Sequence, residues 1–125
     1  MNAKEKRVLV YQEIESEINS CRKVLMDRVT GRQGPILGHE FPAYQTVGNS
    51  LKTPEALQTL DDIVKETLEL FAHGLMCVLD GCSGSIIEHF ELALVDWDAK
   101  ENLRPRDGEY NGELAGYLMY GREGV

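Results

Sequence analysis

Apolar residues return every third or fourth position over two long stretches of this chain, and every second position over one short stretch. From Pro54 onward, Leu57, Leu60, Val64, Leu68, Phe71, Leu75 and Val78 keep the helical step, which places them on one face and predicts that this face is core. Thr53-Pro54-Glu55 opens the stretch with a capping hydroxyl, a proline at the first helical position and an acid beside the positive end of the helix dipole. Asp80-Gly81 closes it, because glycine enters the left-handed conformation without a Cβ penalty. Beyond Leu68 the other side also turns apolar, through Leu70, Ala72, Met76 and Leu79, so this end needs cover on most sides. Residues 3–29 give the first long helix of the chain, with Tyr11, Ile14, Ile18, Cys21 and Leu25 on its apolar face, so that the stretch from Pro54 is the second. Val8-Leu9-Val10-Tyr11 also admits a short strand, since four positions do not separate the two periods.

The alternating run is Ile86 to Val95, with Phe90, Leu92 and Leu94 on one side and His89, Glu91, Ala93 and Val95 on the other. It predicts a half-buried strand. Asp96 to Asn102 suits a hairpin turn, although it lacks the Asn-Gly or Asp-Gly pair that favours the tightest hairpins. A short helix is expected from Asn111 to Tyr120, stopped by Gly121, followed by a mobile tail from Arg122 to Val125. Residues 31–52 read as a long connection, whose Ile36, Leu37, Phe41, Tyr44 and Val47 suit cover for the apolar end of the second long helix. The fold class is therefore α+β: two long antiparallel helices plus a short C-terminal helix, packed with a small antiparallel β-ribbon in a single compact domain of residues 1–125.

Composition narrows the classes of function. With 125 residues and 42% hydrophobic content, the chain can bury a core without disulfides or metal. No run spans a bilayer and none reads as a signal peptide, so the expected location is the cytoplasm. Cys21, Cys77 and Cys82 are an odd number without zinc-site spacing, which suits reduced thiols; Cys21 and Cys77 are expected to be buried. The net charge is −8, and it is unevenly spread. Residues 54–101 hold eleven acids against two bases, while residues 1–34 hold seven bases against five acids. A field of this kind disfavours nucleic acid and anionic membrane as partners and favours basic proteins.

Three groups of residues invite chemistry. Glu66, Glu69 and His73 lie on one polar stripe of the second long helix and could hold a divalent cation, with Glu13 or Glu17 opposite on the first helix. Bundle metal sites draw ligands from several helices, and the first helix offers no histidine, so a solvated helix face is the preferred reading and no metal or cofactor is expected. Gly81-Cys82-Ser83-Gly84-Ser85 has neither the strand-to-helix context of a nucleophile elbow nor the helix start of a phosphate loop; it reads as a turn. Asp96-Trp97-Asp98 sets the sole tryptophan between two acids. Trp97 there is either a cap folded onto the core or an exposed aromatic anchor for a basic protein surface.

These features favour a small acidic binding protein without catalytic activity, such as an immunity or inhibitor protein that neutralises a basic bacterial toxin. Its expected partner-binding residues are Asp61, Asp62, Glu66, Glu69, Glu91, Asp96, Trp97 and Asp98. The alternatives are a metal-dependent enzyme using Glu66, Glu69 and His73, and a self-associating structural module in which a homodimer pairs the edges of the ribbon.

Overall fold

The computed structural model describes residues 1–32, 42–81, 92–106 and 108–125. Four helices, α1 (Ala3–Val29), α2 (Pro42–Ser50), α3 (Pro54–Asp80) and α4 (Tyr110–Tyr120), accompany a two-stranded antiparallel ribbon, β1 (Val95–Asp96) and β2 (Glu101–Asn102). A 3-10 turn over Gly121–Gly124 completes the chain. The described residues fall into two compact units, one of residues 16–68 and one of residues 1–15 with 69–125.

Local chemistry fixes the ends of the long helices. Asn2 and Glu5 form a reciprocal box at the start of α1: the Glu5 N–H donates to Asn2 Oδ1 at 2.9 Å, and the Asn2 N–H donates to Glu5 Oε2 at 2.7 Å. Val8 to Tyr11 are helical, which decides the ambiguity in their sequence. α1 ends at Gly31, with φ +75°. The Arg32 N–H donates to the Asp27 carbonyl and the Gly31 N–H to that of Arg28, the paired bonds of a Schellman stop. Thr53 caps α3 as its sequence predicts, accepting the Ala56 N–H at 3.1 Å, and Gly81 ends it at φ +75°.

In the unit of residues 16–68, Ile18 and Val29 are buried, while Val24, Leu25, Leu57, Leu60, Val64 and Leu68 are half-buried. An Arg22–Asp61 ion pair ties α1 to α3, with two parallel hydrogen bonds at 3.1 and 2.9 Å. Residues 42–50, expected within an irregular connection, form α2. The connection is shorter than its sequence suggested because Thr46 and Ser50 bond back to carbonyls one turn earlier, so the helix absorbs side chains that otherwise favour turns. α2 approaches α1 at Gly48, where any Cβ would overlap the Val29 carbonyl. Ile36, Leu37 and Phe41 lie outside the described residues.

The other unit is built around tyrosines. Tyr11, Tyr110 and Leu114 are fully buried, with Val8, Ala72, Met76, Leu103 and Tyr117 nearly so. The Tyr11 and Tyr117 rings lie 6.1 Å apart at 40°. Arg7, itself buried, grips the Glu113 carboxylate of α4 through Nε at 2.6 Å and Nη2 at 2.8 Å, and gives Nη1 to the Leu103 carbonyl. The Tyr11 hydroxyl donates to the same carboxylate at 2.8 Å. Burial pushes the Glu113 carboxyl up, but the hydrogen bonds from Arg7 and Tyr11 outweigh it and hold the group below its ordinary value. Burial, and then the neighbouring carboxylate, push the Tyr11 phenol well above its ordinary range.

Several expectations are corrected in this unit. Phe71, Leu75 and Val78, assigned to the core face of α3, are exposed, whereas Ala72 and Met76 on the other side are buried. The C-terminal half of α3 is orientated by its end: the Asp80 carboxylate, with no exposed side-chain surface, binds the start of α4, and this selects the face that turns inward. Cys21 is exposed and Cys77 half-buried, so neither is the buried thiol expected. Of Arg122 to Val125, expected as a mobile tail, Arg122 to Gly124 wind into the 3-10 turn, and Gly124 meets Gly116 so closely that neither position has room for a side chain. Of the strand expected over Ile86–Val95, residues 86–91 lie outside the described residues, Leu92 to Leu94 are irregular, and only Val95 is paired.

Candidate functional site

The hairpin between β1 and β2 presents the most exposed large aromatic group among the described residues. Val95 pairs with Asn102 and Asp96 with Glu101, leaving Trp97 to Lys100 as a four-residue turn. The turn forms without Asn-Gly for two reasons. Asp96 Oδ1 accepts the Ala99 N–H at 2.9 Å, bridging the turn through a side chain, and Lys100 itself takes the left-handed conformation, with φ +55°. Lys6 of α1 holds the base, 2.7 Å from Asp96 Oδ2 and 2.5 Å from Glu101 Oε2. The Ala99 N–H and then Lys6 hold the Asp96 carboxyl below its ordinary value, while Asp96 and then Glu101 raise the Lys6 ammonium. Charge-assisted bonds from Lys6 to both strands, at the pair that flanks the turn, thus position a tip that has few residues to stabilise it.

Trp97 at this tip is 78% exposed, so it does not fold onto the core as a cap. The Lys100 ammonium stands 3.4 Å from the centre of its ring. A cation over the indole face is attracted by the ring quadrupole, so this surface already receives a positive group from its own chain. Asp98 beside it is exposed.

The other expected binding residues are dispersed and serve different ends. Asp62 and Glu66, one turn apart on α3 in the unit of residues 16–68, are exposed, and Asp62 accepts a hydrogen bond from Gln58 at 3.0 Å. Asp61 in that unit is committed to Arg22. Glu69 belongs to the other unit and is half-buried. Asp96 is there too, held by the turn and by Lys6, and Glu91 lies outside the described residues. The structure therefore brings together Asp96, Trp97 and Asp98, and separately Asp62 and Glu66.

For the metal reading, no group of three His, Cys, Asp or Glu side chains able to hold an ion occurs among the described residues. The His73 ring instead approaches the Cys77 thiol one turn away, at 3.8 Å. Glu13 and Glu17 are exposed. Cys82 and His89 lie outside the described residues.

Asp80 was missed as a structural acid. α4 has no side-chain cap from the residue that precedes it, Glu109; its opening N–H groups on Tyr110 and Asn111 donate to the two oxygens of Asp80 at 3.0 and 2.8 Å. The Asn111 amide adds a third bond at 2.8 Å. A cap from thirty residues away leaves no local pattern in the sequence. Comparison with known proteins found no matching family model, curated protein or solved structure.

Proposed function

We propose that this chain is a binding protein without catalytic activity whose hairpin tip engages a basic protein. The observation that carries the proposal is the exposed Trp97, held on a turn fixed by Asp96 and Lys6, with a cation already seated on its ring and Asp98 beside it. A partner lysine or arginine replacing Lys100 on that face would keep the cation–π contact and add an ion pair to Asp98. Large aromatics ringed by polar groups are the residues that most often dominate such interfaces. The net charge of −8 adds long-range attraction that speeds encounter with a cationic target. Asp62 and Glu66, exposed on α3, supply further acidic surface. In the narrower form of the proposal the partner is a bacterial toxin and the protein its immunity factor, a role that requires a preorganised acidic surface and no catalytic groups.

Trp97 is the sole tryptophan, so its emission reports directly on the tip. Titration with a lysine-rich peptide should shift and saturate that emission at low salt, with the effect weakened at high salt. Lys100→Gly, which suits the left-handed φ and vacates the ring, should strengthen the response; Asp98→Lys should weaken it. Emission indifferent to the peptide in wild type and in Lys100→Gly would contradict the proposal.

A further inference from the structure

Positive charge is concentrated in one cleft of this acidic protein. The cleft, of about 610 Å³, lies in the unit of residues 1–15 with 69–125, and is lined by Lys4, Arg7, Arg104 and Arg106 against Glu101 and Glu113. Among the described residues, four bases and two acids line it, in a chain whose net charge is −8.

The bases divide into two kinds. Arg7 is engaged by Glu113 and the Leu103 carbonyl, and Arg104 gives Nη2 to the Leu79 and Leu92 carbonyls, with its Nη1 3.7 Å from Asp80. These two fix the wall and add to its field. Lys4 and Arg106 are exposed at the cleft and hold no ion pair among the described residues. One is a compact ammonium and the other a planar fork, two complementary ways of binding an oxyanion. Glu101 does not cancel them, because Lys6 already stands 2.5 Å from its carboxylate.

We infer that this cleft binds a compact phosphorylated small molecule, with its phosphate between Lys4 and Arg106. The volume suits a small ligand. No aromatic side chain among the described residues lines the cleft, so a nucleobase finds no stacking platform on them, and the recognised group is the phosphate itself. The site is independent of the binding role given to Trp97, which lies at the tip of the hairpin and does not line the cleft.

Inorganic pyrophosphate is the probe, titrated into the full chain by calorimetry and by amide shifts in nuclear magnetic resonance, with acetate as the carboxylate control. The expected result is saturable binding with a Kd of about 1 mM or tighter, with the largest shifts at Asn2 to Lys4, Arg104, Arg106 and Gly108. Arg106→Gln should weaken it about tenfold, and Lys4→Gln with Arg106→Gln further, with an unchanged thermal melt because both side chains are exposed. Absence of saturation up to about 10 mM in wild type, shifts that map elsewhere, equal affinity for acetate, or unaltered affinity in the folded double variant would each overturn the assignment.

Discussion

Asp80 ends one helix and begins another. Its carboxylate takes no solvent and three hydrogen bonds from Tyr110 and Asn111, so Asp80→Ala removes a cap and leaves the first N–H groups of α4 without acceptors. The expected loss is about 2–4 kcal/mol in urea unfolding, because several buried donors are stranded together; Asp80→Asn should recover part of it. A change under about 0.5 kcal/mol, typical of an ordinary surface site, would refute the capping role. The acid was legible as a helix stop but not as a cap, since nothing near Tyr110 points thirty residues back. Thr53 and Gly81 were fully legible, because each bonds a neighbour within one turn.

Glu113 sets the response to acid at the same scale. Its folded value lies below its ordinary 4.5, so its stabilisation is complete above about pH 4.5, the unfolded value, and is lost as the pH falls through the lower folded value. Wild type should therefore lose stability on descending through that window, and Glu113→Gln should flatten this limb. Arg7→Met strands the carboxylate and should cost roughly 3 kcal/mol at neutral pH. An acid limb unchanged in Glu113→Gln would show that other carboxylates set it.

At the scale of elements, the helices carried the clearer signal. Both long helices match their predicted spans because caps and period agree, whereas α2 was hidden by turn-forming residues, Gly48, Asn49 and Ser50 among them. Periodicity also identified apolar faces without saying which would be covered. On α3, both sides of the C-terminal half are apolar, and the choice of Ala72 and Met76 over Phe71, Leu75 and Val78 depends on the tertiary anchor at Asp80. The hairpin was legible as a turn, but its means of closure, a left-handed Lys100 and a bridging Asp96, has no simple sequence pattern. Gly48 is the test at this scale. Gly48→Ala places a methyl against the Val29 carbonyl and should cost about 1–3 kcal/mol, with hydrogen exchange accelerated in α2 and at the end of α1. A melt equal to wild type would mean that α2 does not approach α1 as described.

For the whole molecule, net charge predicts the sign of a partner but not the place of contact. Of the acids that make the sequence so uneven, Asp61, Asp80, Asp96 and Glu101 are engaged internally, leaving Glu55, Asp62, Glu66 and Asp98 exposed among the described residues. The acidic surface available to a partner is thus smaller than the sequence count implies, and the aromatic tip gains weight as the anchor. The most direct measurement is capture from lysate of the source cells on immobilised wild-type protein beside Trp97→Ala, with captured proteins identified and their charge determined. A basic protein retained by wild type and released by Trp97→Ala, with both chains folded, is the predicted result. The same proteins held equally by both, or no basic protein held by wild type, would contradict it.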